Sequence, residues 1–158
     1  MRLGFSAPLR VDPVDLDERP IRQVMARVTV DTDGPGFTPL TSPVDEWLRD
    51  IVAVDGLLTL FIRHTSASLT IQENADPTVQ TDLLSALNHL APRDRAYRHA
   101  TEGPDDMPAH IRSMLTSTSL SVPVVGQRLD LGTWQDVYLI EHRDAPHRRH
   151  VTLHYLGS

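Results

Sequence analysis

No cysteine occurs anywhere in the 158 residues of this chain. Disulfides, thiolate nucleophiles and cysteine-ligated zinc sites are therefore excluded, and a bound metal has to be held by histidine, carboxylate or backbone oxygen. Long apolar runs are also absent. The opening stretch MRLGFSAPLRVDPVDLDERP has no apolar core of signal-peptide length, and no segment reaches the length that spans a bilayer. A cytoplasmic location without a membrane partner is expected. Positive charge is in deficit: 15 basic against 21 acidic side chains leave a net charge of -6. That balance argues against broad nucleic-acid binding, which needs a basic surface. P-loop, GxGxxG, GxSxG and HExxH signatures are missing, so the function classes they mark are unsupported. No internal repeat or low-complexity segment is present.

What remains is ordinary for one globular domain: 40% hydrophobic and 23% charged residues over a length that builds a full core. Residues 1–20 carry three prolines without a period and read as an N-terminal arm; residues 21–158 read as the domain. Ile21–Thr32 alternates Val24, Ala26, Val28 and Val30 against polar neighbours, a half-buried strand. TSPVDEWLRDIVAVDG predicts a helix with Ser42 as N-cap and Pro43 in first position. LLTLFIRH and SASLTIQE predict two consecutive strands. Asp76 and Pro77 start a helix with a Val79, Leu83, Leu84, Leu87 stripe. MPAHIRSMLTS predicts a short helix with Ile111, Met114 and Leu115 inward. LSVPVV reads as an edge strand because of its proline. GTWQDVYLIEHRD and RRHVTLHYLG read as a terminal hairpin. Strands and helices do not alternate, so the class is α+β.

Eight histidines stand out. His142, His147, His150 and His154 read as a solvated face. His64, His99 and His110 come from three different elements and can converge on one divalent ion. Glu73, Asp105 and Asp106 stand near them as ligands, orienting groups or bases. The alternative for each is structural: Asp106 caps a helix, and His64 is a satisfied core histidine. Ser66, Ser68, Glu73 and Asn74, with Arg63 or Arg98, also suit an anion site. Their alternative is ordinary strand and turn chemistry. Glu141 shares a strand face with Val137 and Leu139. It needs a partner, and Arg143 is the nearest candidate.

The motifs HTSASLTIQENADP, YRHATEGPDDMPAHI, GTWQDVYLIEHRD and VTLHYLG together resemble the YjbQ-like family, whose members are often described as secondary thiamine-phosphate synthases. The likeness covers about residues 22–157. It implies a single α+β domain: a β-sandwich of mostly antiparallel strands with helices packed alongside, assembled as a homotrimer with sites near subunit boundaries. It further implies a weak or secondary activity that joins a pyrimidine pyrophosphate to a thiazole phosphate and releases pyrophosphate. On this reading His64, His99 and His110 hold a divalent metal, zinc or magnesium. Glu73, Asn74 and Asp106 do the catalytic work, and Arg63, Ser66, Ser68, Arg98, Arg112, Trp134 and Gln135 bind a small phosphorylated substrate. The chain departs from the family pattern at Ser66, usually threonine, at Gln72 and Ala100, both usually asparagine, and in its long N-terminal arm. The alternatives are another metal-dependent enzyme acting on a small phosphate compound, and a non-catalytic trimer that binds a small anion.

Overall fold

The computed structural model describes residues 19–158, so most of the expected N-terminal arm lies outside the described residues. Eleven elements follow one another: β1 (Arg22–Thr32), β2 (Gly36–Pro39), α1 (Thr41–Asp50), β3 (Asp55–Ile62), β4 (Ala67–Glu73), α2 (Pro77–Leu90), α3 (Asp106–Leu115), β5 (Ser119–Val125), β6 (Arg128–Leu129), β7 (Gln135–Glu141) and β8 (His147–Gly157). The strands form two sheets, ordered β1-β8-β3-β5-β6 and β2-β7-β4, with every pairing antiparallel.

Period-two patterning makes this a sandwich. Val30, Leu58, Leu60, Ile62, Val122, Val124, Val151, Leu153 and Tyr155 of the large sheet share one core with Leu69, Val137 and Leu139 of the small sheet. Val44 and Leu48 of α1 enter the same core, each with no exposed surface. Each such leucine contributes roughly 1.5–3 kcal/mol by leaving water. Helices α2 and α3 lie against the small sheet, through Gln80 Nε2 to the Tyr138 hydroxyl (3.1 Å) and Ser113 Oγ to the Ala67 carbonyl (3.2 Å). Among the described residues no helix is long and apolar enough to cross a membrane.

Most predicted elements are present, and the departures have physical causes. Helix α1 begins at Thr41 and Ser42 does not cap it. Its first amide is held by Asp136 of β7, a partner distant in sequence. Helix α2 keeps its predicted cap, with Asp76 accepting from the Thr78 amide at 2.8 Å. Helix α3 is turned relative to expectation: Met114 and Leu115 are exposed, while Asp106, Pro108, Ala109, Arg112 and Ser113 are buried. Polar partners on the small sheet and the 92–105 loop set that face, against the hydrophobic pattern. The expected terminal hairpin does not form. β7 pairs with β2 and β4, β8 pairs with β1 and β3, and residues 142–146 cross between the sheets.

Candidate metal centre

The sequence EGPDDMPAH builds the site. Gly103 takes φ 112°, a conformation side chains rarely adopt, and lets the chain turn into α3. Asp106 and His110 then lie four residues apart on one helix face. The 92–105 loop folds His99 over them, with its ring centroid 5.5 Å from that of His110. Asp106 Oδ2 stands 2.7 Å from His99 Nε2 and 3.7 Å from His110 Nε2. One ligand atom from each of the three residues lies within 4.8 Å of the others.

Arg143, which follows β7, fixes the carboxylates. Its Nε donates to Asp105 Oδ2 at 2.9 Å, its Nη1 pairs with Asp106 Oδ1, and its Nη2 donates to the Glu102 carbonyl at 2.9 Å. Asp105 also accepts from the Asp144 amide at 3.0 Å. Burial pushes the Asp105 carboxyl up, but the Asp144 amide and Arg143 together hold it below its ordinary range. His110 Nδ1 faces the Thr65 carbonyl at 3.1 Å. That contact selects the tautomer with the proton on Nδ1 and leaves the Nε2 lone pair toward Asp106 and His99.

The set is chemically suited to a divalent cation. Asp106 Oδ2 is buried, yet neither imidazole contact has hydrogen-bond geometry, and the atom has no hydrogen-bond partner. A buried carboxylate oxygen without a hydrogen bond is costly. A cation shared with the two Nε2 atoms would remove that cost, and two histidines with one carboxylate would leave it room for water or substrate. His99 and His110 side chains are 48% and 33% exposed, so the site is reachable. Beside it, Tyr97, His99, Gly103 and Met107 help line a cleft of about 260 Å³.

His64 does not join this set within the chain. Its Nε2 accepts the His150 amide at 2.9 Å, and its Nδ1 faces Arg149 Nη1 at 3.4 Å. Burial and the neighbouring guanidinium push its pKa down. Accepting the His150 amide occupies the Nε2 lone pair and leaves the proton of the neutral ring on Nδ1, so among the described residues of one chain the group that could hold a metal is His99, Asp106 and His110, without His64. His64 lines a separate cleft of about 570 Å³ with Arg63, Thr65 and Ser66. Ser68 is fully buried and its hydroxyl bonds His142 Nε2 at 2.8 Å, so it does not reach a substrate.

Glu73, Asn74, Trp134 and Gln135 gather elsewhere. The register pairs Glu73 with Gln135 and Ala67 with Glu141, six residues away, or ~20 Å along the strands. There Asn74 donates through its amide to the Trp134 carbonyl at 2.9 Å and through Nδ2 to the Gln135 carbonyl at 3.4 Å. This is turn chemistry, and it separates these four residues from the histidine site of the same chain. Arg98 is exposed next to His99. Arg112 is buried behind α3 and outside this cleft.

Sequence reasoning missed a second polar centre. Glu141 pairs with Arg149 and not with Arg143. His142, expected in solvent, is 1% exposed. Burial, then the Arg112 charge, push its pKa down to about 4. The signal for Arg149 was available: it is in phase with Val151, Leu153 and Tyr155, the buried face of β8. His147, His150 and His154 do keep partial exposure, as expected.

The profile of the family described as UPF0047 protein YjbQ-like matches residues 26–158. A UPF0047 protein of Synechocystis is 51% identical over 87% of this chain and 94% of its own length. The UPF0047 protein YjbQ of Salmonella typhimurium is 44% identical over 73% of the chain and 85% of its own. Among solved structures, a conserved hypothetical protein of Thermus thermophilus superposes with a TM-score of 0.73 at 41% identity, covering 81% of this chain and 97% of that one. A YbjQ-like protein of unknown function from Sulfolobus solfataricus reaches a TM-score of 0.80 at 21% identity over 87% and 99%, a likeness of fold.

Proposed function

The chain belongs to the YjbQ-like UPF0047 family, and from that premise we propose that it is a divalent-metal enzyme acting on a small phosphorylated compound, with thiamine-phosphate-synthase-like transfer as the reaction to test first. The observation that carries the reading is the buried Asp106 Oδ2, which faces two imidazoles without a hydrogen bond. His99, His110 and Asp106 would hold the ion. Zinc suits two imidazoles and a carboxylate, and magnesium is the alternative for a phosphate substrate. The bound ion would neutralise negative charge as pyrophosphate leaves. Arg143 holds Asp105 and Asp106 in place, and the Thr65 carbonyl orients His110. Arg98, exposed and adjacent to His99 in sequence, would meet a phosphate that enters from solvent.

Assembly as a homotrimer is part of the proposal. The outer face of the large sheet leaves Met25, Leu57, Phe61 and Leu156 between 43% and 66% exposed. Leu57 pairs with Leu156 across the β3–β8 ladder, so part of this apolar surface is continuous.

Zinc and magnesium titration by calorimetry, paired with a coupled assay for thiamine phosphate, tests the reading. The expected outcome is one metal per chain, with affinity reduced at least about tenfold in His110→Ala and in Asp106→Asn, and turnover falling in step. Equal metal content in wild type and both variants would remove the metal centre. Metal binding without turnover would leave a non-catalytic binding protein.

A further inference from the structure

Two buried side-chain polar atoms among the described residues make no hydrogen bond: Asp106 Oδ2 in the metal cleft, and Nε of Arg112. The second lies outside the proposed centre. Arg112 is 3% exposed, and its Nη2 donates to the Ala91 carbonyl at the end of α2, at 3.1 Å. No carboxylate among the described residues forms an ion pair with it. That single bond caps a helix end favourably, but it uses one of five donors. Folding a guanidinium out of water without an opposite charge is very costly unless a ligand compensates it.

Arg112 faces a cleft of about 360 Å³ that it lines with Asn88, Pro92, Arg93 and Asp94. Arg93 brings a second guanidinium, now paired with Asp144 in an exposed contact. Such surface pairs are readily exchanged for a better partner. Asp94 opposes an anion; Asp144 and Asp105 act on Arg112 without forming an ion pair with it, and burial outweighs them. Arg93 also lines the cleft beside His99, so the two clefts share a wall.

We propose that Arg112, with Arg93 across the same cleft, forms an oxyanion site that takes the phosphate group of a small molecule. The planar guanidinium fork matches a phosphate through two parallel N–H···O bonds, and Nε–H is one of the donors that fork requires. The site deepens the reading above by supplying a place for the phosphate end of a substrate. Its evidence, a buried guanidinium whose Nε makes no hydrogen bond, is independent of metal binding.

The test is calorimetric titration of the intact protein, kept metal-free with a chelator and at constant ionic strength. The probes are inorganic phosphate, glycerol phosphate and a chloride control. Phosphate or glycerol phosphate is expected to bind once per chain, and chloride is not. Tighter binding of the ester identifies a phosphorylated metabolite as occupant, and tighter binding of orthophosphate identifies free phosphate; either supports the site. Arg112→Met should weaken binding at least about tenfold, and Ser42→Ala, an exposed position on α1, should leave it unchanged. Arg112→Met should also keep or raise the melting temperature, because it removes a buried guanidinium that forms no ion pair. If the methionine variant fails to fold, Arg112→Gln carries the same binding test. Absence of phosphate binding in the wild type, its survival in both Arg112 variants, or its loss in Ser42→Ala would overturn the proposal. A metal assay that fails while the Arg112 response stands removes only the metal reading.

Discussion

Arg149 Nε donates to Glu141 Oε2 at 2.7 Å and its Nη2 to Oε1 at 2.5 Å, and their side chains are 4% and 1% exposed. Glu141 ends a strand of the small sheet and Arg149 lies in the large one, so this pair ties the two layers of the sandwich together. The Thr32 hydroxyl donates to Oε2 at 2.7 Å, and the His142 and Arg143 amides each donate to Oε1 at 2.9 Å. Burial pushes the Glu141 carboxyl up, yet these donors hold it below its ordinary range.

Removing one member of the pair strands the other in the core. Arg149→Met and Glu141→Gln should each cost about 3–5 kcal/mol in urea unfolding. The double variant should cost less than the sum of the two. Strict additivity would mean that the two charges do not sense each other.

His142 makes stability pH-dependent. Its pKa is about 4 in the folded chain against an ordinary 6.5, so the unfolded chain binds the extra proton between those values. Stability is therefore full above pH 6.5 and falls as pH drops toward 4, by about 3 kcal/mol from this group alone. Comparing wild type with His142→Asn between pH 7 and pH 5 isolates the effect, because carboxylates titrate mainly below that window. The variant should show a flatter profile; parallel profiles would refute the assignment.

Asp136 should matter to α1 although it is far away in sequence. Its Oδ1 accepts from the Thr41 amide at 3.3 Å and from the Thr41 hydroxyl, and that hydroxyl in turn accepts the Val137 amide at 2.9 Å. Asp136→Ala should cost about 1–2 kcal/mol, the range for loss of an N-cap. Ser42→Ala, whose residue was the expected cap, should cost less than about 0.5 kcal/mol. Chemical denaturation of both variants ranks them, and the reverse order would contradict this cap.

Gly56 and Gly157 face each other where β3 meets β8. A Cβ on Gly56 would collide with the Leu156 carbonyl and come within 2.7 Å of the Gly157 Cα. Both obstacles are backbone, so relief requires the ladder to open. Gly56→Ala should cost at least about 2 kcal/mol. Gly36→Ala is the control, since nothing lies within 4 Å of a Cβ there. Similar melting temperatures for the two variants would argue against the close approach.

The sequence by itself determined whatever depends on local periodicity and capping. The alternation of Val24 to Val30, the Asp76–Pro77 start of α2, the buried phase of Val137, Leu139 and Glu141, and the α+β class were all legible. The pairing of Asp106 with His110 was also within reach, because a helix sets it at four residues. Tertiary structure decided what joins remote segments. It sent β7 and β8 into different sheets, gave Glu141 to Arg149 and Arg143 to Asp105 and Asp106, and brought His99 to Asp106 while leaving His64 beside His150. Periodicity tells which face of an element a residue occupies. Partner choice depends on where the chain crosses between layers, and no local pattern encodes that crossing.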